Sequence, residues 1–272
     1  MTDSCVQISC VLSDIARACS FVVGVATQAG LSGRDVEHCY LVVDEICTNI
    51  IEHGSITTDC PEALIEVCCY AVPQGICIEI RDNSIEFDPL SFPLPDPSDG
   101  LDRRGDGGWG IYFLRKLMDD VRHDFANGQN KLTLVKKRTS EAVSLDSVPT
   151  SENSEPSYTL TPHLQDQRVM MISLEGRYTG VIAEAVGDDV AHLLQQGVKW
   201  FIMDCAGATG LSSAGLKHLV KLSQRVQDRK GKIIFSGVPM QIEELFGLVG
   251  LDLIFTMVET TDQALRELQK KP

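Results

Sequence analysis

The chain has 272 residues, 24 basic and 38 acidic side chains, and a formal net charge of −14. That length favours two domains over one, and a composition 43% hydrophobic and 23% charged excludes a wholly disordered chain. No apolar run approaches the roughly 18 residues of a membrane span, the N-terminus lacks the basic and apolar regions of a signal peptide, and the acidic balance argues against general nucleic-acid binding. Ten cysteines in such a chain point to reduced thiols in a cytoplasmic protein rather than a disulfide framework.

The acidity is uneven. Residues 1–137 carry 21 acids and 11 bases, whereas residues 158–272 carry 13 and 12. Within the first stretch, Val6–Leu12 reads as a strand. A helix capped by Ser13 runs to Gln28 and stops at Gly30. Ser32, with Asp35 three residues on, opens a second helix that ends at Gly54, and Val36, Cys39, Val43, Ile46, Cys47 and Ile50 form its apolar stripe. Ala63–Val72 and Ile76–Asp82 read as strands joined through Pro73-Gln74-Gly75. A long Pro-bearing loop spans 83–108, Gly110–Asp119 is helical, and strands Val121–Ala126 and Lys131–Lys137 flank an Asn127-Gly128 hairpin turn.

Arg138–Ser157 is rich in Ser, Thr, Glu and Pro and has neither helical nor strand period, so 138–157 reads as a flexible linker, roughly 25 Å in root-mean-square span. From 158 onward strand and helix alternate. Strands are expected at Arg168–Leu174, Lys199–Asp204, Lys232–Phe235 and Leu253–Thr256. Helices are expected at Ile182–Gln195, Ser213–Arg229, Pro239–Leu248 and Thr261–Lys270. Such alternation predicts a largely parallel sheet faced by helices. The fold class is therefore α/β, in two domains: 1–137 and 158–272.

Three features of the first domain bear on chemistry. Glu45, Asn49 and His53 recur at steps of four, each step turning about 40°, so they form a polar row along the edge of the apolar stripe; the spacing alone is equally that of a solvated face. Asp82 closes a strand, where a carboxylate can accept a hydrogen bond from a purine amino group or simply shape a turn. Gly105, Gly107, Gly108 and Gly110 precede a helix, where backbone N–H groups can approach phosphate oxygens.

In order, Glu-x-x-x-Asn-x-x-x-His, then strand-Asp-x-x-x-x-Phe-Asp-Pro, then Gly-Gly-x-Gly-Ile-x-x-x-Arg-x-Leu-Met-Asp resembles the anti-sigma-factor serine kinases, members of the histidine-kinase-like ATPase superfamily. The resemblance implies an α/β sandwich that binds ATP and Mg²⁺. It places Glu45 as the general base that takes a proton from a substrate serine, and Asn49 as the Mg²⁺ ligand. Asp82 becomes the adenine-reading carboxylate, Thr133 the hydroxyl near the adenine edge, and Gly107, Gly108 and Gly110 the phosphate-contacting lid, with 83–106 its mobile part. His53 occupies a common family position without an assigned role. Two departures stand out: Ser84 replaces the usual Gly two residues after Asp82, where a positive φ would cost Ser more than Gly, and Glu86 adds a negative charge. They leave a second reading open, a nucleotide-binding scaffold that sequesters partners without transferring phosphate.

In the second domain, Asp204-Cys205-Ala206-Gly207-Ala208-Thr209-Gly210-Leu211-Ser212-Ser213-Ala214-Gly215-Leu216 runs from strand through small residues into a helix. With Lys232–Phe235, Gly250-Leu251 and Phe255 it resembles the STAS domain, the fold of anti-sigma-factor antagonists. The resemblance places the phosphorylated serine at Ser213, with Ser212 in place of the more usual Asp; the residues alone would equally make both of them helix caps. Lys217, Lys221, Arg225 and Arg229 follow at steps of four, either a basic flank for an acidic partner or a solvated helix face. The expected partners are a STAS-domain antagonist, a serine phosphatase and, as further candidates, a sigma factor and a second copy of the chain; nucleic acid and membrane are not expected.

Overall fold

In the computed structural model the described residues are 4–54, 64–92, 94, 109–139, 156–164, 166, 168–248 and 250–269. The chain divides into two compact units. In the first, strands β1 (Ser4–Ser9), β2 (Leu64–Val72), β3 (Gly75–Asp82), β4 (Asp120–Ala126) and β5 (Gln129–Lys137) form one antiparallel sheet in the order β1-β2-β3-β5-β4. Helices α1 (Ile15–Gln28), α2 (Gly33–His53) and α3 (Trp109–Leu117) pack on one face. Alternation decides that face. Ile76, Ile78, Ile80, Leu132 and Leu134 are buried, while Glu79, Arg81, Lys131 and Thr133 between them belong to the opposite face.

Local chemistry accounts for the element ends. Ser32 caps α2 by accepting from the Asp35 N–H at 3.1 Å, and Gly54 closes it, both as expected. Asn127 (φ 55°) and Gly128 (φ 73°) make the two-residue hairpin turn whose positive dihedrals match the twist of the strands. Near the N-terminus the expectation shifts: β1 ends at Ser9, a short 3-10 turn covers Leu12–Asp14, and Ser13 lies within that turn instead of capping α1.

A buried ion pair ties α2 to β5. Lys136 Nζ lies 3.3 Å from Asp35 Oδ1, donates to the Leu117 carbonyl at 2.9 Å, and stands 3.2 Å from His38 Nδ1. The ammonium has only protons to offer, so His38 Nδ1 accepts and the imidazole is neutral. Burial, reinforced by Lys136, pushes the His38 pKa down to about 4. Burial alone would raise the Asp35 carboxyl, but hydrogen bonds from Thr139 and Ser32 and the charge of Lys136 hold it below its ordinary value. Between pH 6.5 and 4 the unfolded chain binds a proton at His38 that the folded chain refuses. Stability is therefore full above about pH 6.5 and falls by roughly 3 kcal/mol as the pH drops to 4. Urea denaturation across this window should show that slope, and His38→Gln, which keeps an acceptor for Lys136 but does not titrate, should flatten it.

Two expectations are corrected here. Cys5 and Cys68 face each other in the β1–β2 register and form a disulfide, so not all cysteines are thiols; Cys10, Cys19, Cys39, Cys47, Cys69, Cys77 and Cys205 are free. The expected linker 138–157 is also too long at both ends. Arg138 donates to the carbonyls of Pro73 (2.7 Å) and Ala29 (3.3 Å), and Thr139 Oγ1 donates to Asp35 Oδ2 at 2.7 Å, so both residues belong to the first unit. Ser157 opens a strand, and residues 140–155 lie outside the described residues.

The second unit is a five-stranded sheet in the order β10-β9-β8-β7-β6, built from β6 (Ser157–Pro162), β7 (Val169–Tyr178), β8 (Trp200–Leu211), β9 (Lys232–Ser236) and β10 (Thr256–Val258). Strands β7 to β10 run parallel, as alternation predicts, and β6 adds an antiparallel edge. Helices α4 (Gly180–Gln195), α5 (Ser213–Asp228), α6 (Met240–Leu248) and α7 (Thr261–Gln269) connect and cover it. Phe235, Phe246 and Phe255 pack with ring centroids 4.6–5.9 Å apart. Strand β8 runs seven residues past the expected Asp204. It stays paired with β7 as far as Leu211, across irregularities between Ser173 and Glu175 and between Gly176 and Arg177.

Candidate functional site

In the first unit the site is built where β3 ends beneath α2. Asp82 is 5% exposed, and its Oδ1 accepts from the Ser84 N–H at 2.9 Å, from the Ser84 hydroxyl, and from Asn130 Nδ2 at 3.2 Å. Among the described residues all three donors go to Oδ1, which leaves Oδ2 as the acceptor for an outside amino group. The turn that follows is held to α2: the Ile85 N–H donates to the Gly54 carbonyl at 3.4 Å, and a Cβ on Gly54 would stand 2.9 Å from Ser84 Cβ. Ser84 is not among the positive-φ residues, so it fills the place of the usual Gly without backbone strain. Its hydroxyl adds a donor to Asp82 that Gly would lack. Glu86 is exposed to solvent.

Glu45 and Asn49 stand on the buried flank of α2. Glu45 is 2% exposed, and its Oε1 accepts from Asn49 Nδ2 at 3.2 Å. Gly110, at the start of α3, rests directly on the Glu45 carboxylate; an added Cβ there would collide with Oε1, so this close approach requires Gly. The fold thus sets Glu45 and Asn49 of α2 together with Gly110 of α3 and docks the turn after Asp82, through Ser84 and Ile85, against Gly54 at the end of α2. His53 is not part of this group: it is exposed on the last turn, 3.9 Å from Glu52. Gly107 and Gly108 lie outside the described residues.

Thr133 is corrected. It pairs with Glu79, three residues from Asp82 along β3, and an odd step puts it on the opposite face of the sheet. The residue in register with Asp82 is Asn130, which sequence reasoning missed because the strand was expected to start at Lys131. The signal lay in the hairpin: extending the pairing back to the Asn127-Gly128 turn sets Asn130 opposite Asp82.

The residues suit MgATP. A buried carboxylate whose Oδ2 has no partner among the described residues matches a purine amino donor, and an Asn beside a carboxylate suits a hard cation that keeps other oxygen ligands. Among the described residues no group of three or more His, Cys, Asp or Glu is placed to hold a metal ion by itself, and no helix is long and apolar enough to cross a membrane.

In the second unit, Ser212 caps α5: its Oγ accepts from the Gly215 N–H at 2.9 Å. Its own N–H donates to the Tyr178 carbonyl at 3.1 Å. Ser213 is the first helical residue and is 1% exposed. The two adjacent serines therefore differ in role, the first satisfying the helix end and the second standing where N–H groups converge. Of the basic row, Arg225 donates to the Gly187 carbonyl of α4 at 3.1 Å, which supports the α4–α5 contact.

These features define a nucleotide-site α/β sandwich followed by a parallel α/β domain with a serine pair at a helix start. Residues 9–136 match the family model of the histidine kinase-like ATPase domain, and residues 163–264 match that of the STAS domain. The chain is similar to the serine-protein kinase RsbW of Bacillus velezensis, 28% identical over 101 residues, 36% of this chain and 63% of that protein. The RsbW of Bacillus licheniformis is 29% identical over 115 residues, 39% of this chain and 67% of that protein. The chain thus spans about two thirds of the length of these relatives. Among solved structures, the unphosphorylated anti-sigma factor antagonist SpoIIAA matches 42% of this chain and 100% of its own, with 14% identity and a TM-score of 0.36. A structure of the RsbU and RsbW domains of a Mycobacterium tuberculosis protein matches over 49% of this chain and 32% of its own, with 14% identity and a TM-score of 0.34.

Proposed function

We propose that the chain is a partner-switching regulator whose first domain is an ATP-dependent protein serine kinase acting on a serine of a STAS-domain antagonist, with its own STAS domain as substrate or competitor. The observation that carries this is a part-buried Glu45–Asn49 hydrogen bond, packed against Gly110, together with an Asp82 carboxylate whose Oδ2 has no partner among the described residues. Asp82 Oδ2 would receive the adenine amino group, Asn49 would hold Mg²⁺, and the start of α3 would face the phosphates. Bound MgATP supplies the phosphoryl group. Glu45 would take the proton from the acceptor serine, in a reaction driven mainly by positioning and charge stabilisation. The names of the RsbW relatives support the kinase assignment, and the STAS domain supports an antagonist of the same fold as the acceptor. A serine phosphatase that resets the switch, a sigma factor bound by the first domain, and self-association complete the proposed partner set.

The test begins with binding. Titration calorimetry should detect Mg²⁺-dependent ATP binding by the full chain. Asp82→Asn replaces a carboxylate acceptor with an amide and should weaken binding by about 1.5–3 kcal/mol, the worth of a charge-assisted bond. No binding by the unmutated chain refutes the kinase. Binding without phosphate incorporation into a supplied STAS protein makes the first domain a nucleotide-binding scaffold instead.

A further inference from the structure

Asn130 is 4% exposed and uses both ends of its amide. The Phe87 N–H points at its side-chain oxygen from 3.1 Å, and a backbone N–H can only donate, so that atom is Oδ1. His123 Nε2 lies 3.1 Å from the same oxygen and therefore carries its proton there. With the oxygen so held, Nδ2 is aimed the other way. It donates to Asp82 Oδ1 at 3.2 Å, to the Ile85 carbonyl at 3.0 Å, and lies 3.2 Å from Ser84 Oγ. One amide thus clamps the site carboxylate, the turn after it, and the chain two residues further on.

We infer that Asn130 is a positioning residue for base recognition, oriented by His123: it spends Asp82 Oδ1 on internal bonds so that Oδ2 alone, in one rotamer, faces the adenine amino group. This rests on the nucleotide site proposed above. Without Asn130, Ser84 alone would hold Asp82 Oδ1, and the carboxylate could more readily turn either oxygen toward its neighbours or toward solvent. Losing the clamp therefore lowers the advantage of a base that carries an amino group and leaves the sugar and phosphate contacts alone. A merely structural residue would weaken all nucleotides alike.

The experiment measures affinities for MgATP and for Mg²⁺ with purine riboside triphosphate, which has hydrogen in place of the amino group. The unmutated full chain, Asn130→Leu, His123→Phe and Asp82→Asn are compared. Asn130→Leu should narrow the preference for ATP by roughly 3- to 10-fold, the worth of about one hydrogen bond, with the purine riboside affinity retained as proof of an intact fold. His123→Phe leaves Asn130 in place but removes one of the two donors that hold its oxygen, and should narrow the ratio in the same direction by about 2-fold; it decides the matter if Asn130→Leu does not fold. If Asp82→Asn collapses the ratio while the Asn130 and His123 variants keep it, the inference is overturned and the nucleotide reading stands. If Asp82→Asn also leaves the ratio unchanged, the adenine assignment of Asp82 fails, and this role for Asn130 with it.

Discussion

Glu45→Gln is expected to leave MgATP binding within about 2-fold of the unmutated chain and to lower phosphoryl transfer by about 10²–10⁴-fold, the usual worth of a positioned general base. The structure explains why the two effects should separate. The amide has the shape of the carboxylate and keeps an oxygen to accept from Asn49 Nδ2, now 3.2 Å from Glu45 Oε1, and it adds no bulk against Gly110. What it loses is the ability to take a proton. Single-turnover transfer of labelled phosphate from ATP to a STAS protein, beside calorimetric ATP affinity, makes the comparison. Equal transfer rates would remove Glu45 from the chemistry. A parallel loss of binding and transfer would mean that it acts by holding the site together.

Ser213→Ala is expected to abolish phosphate labelling of the second domain outright. The cap of α5 is Ser212, through the Gly215 N–H, so Ser213→Ala leaves the cap in place. Ser212→Ala removes the cap, should cost about 1 kcal/mol, and should leave labelling at Ser213. A phosphate there would bring a charge of about −1.5 to −2 to a helix start whose N–H groups favour it, while repelling an acidic partner surface; residues 1–137 hold 21 acids against 11 bases. Mass spectrometry of the full chain after incubation with MgATP reads the site. Phosphate on Ser212 or in 140–155, with Ser213 bare, would refute the assignment. The same labelling followed on dilution tells transfer within a chain, whose fractional rate is constant, from transfer between chains, whose rate falls.

Much of the architecture was legible in the residues themselves. The Ser32/Asp35 start and Gly54 stop of α2 are local hydrogen-bonding and backbone signals, and so is the Asn127-Gly128 turn; they need no tertiary partner to operate. Glu45 and Asn49, one turn apart, were bound to share a face of that helix, and Asp82 to close β3. Element ends set by packing were less legible. Strand β8 runs on to Leu211 because it stays paired with β7 as far as Tyr178, across two irregularities of register, which no local propensity foretells.

By itself, then, the sequence determined two α/β units separated by a polar segment, the helix that bears Glu45 and Asn49, and the serine pair at the head of α5, because periodicity, caps and turns act between near neighbours in the chain. Only the tertiary structure decided what meets across the sheet. The β3–β5 register sets Asn130, not Thr133, opposite Asp82, and the β1–β2 register joins Cys5 to Cys68. Folding also sinks Asp35, His38 and Lys136 into one buried cluster. Of the two serines, it gives the cap to Ser212. Each of these depends on which of two alternating faces a residue occupies or on a contact between distant segments, and a single shift of register reverses the answer.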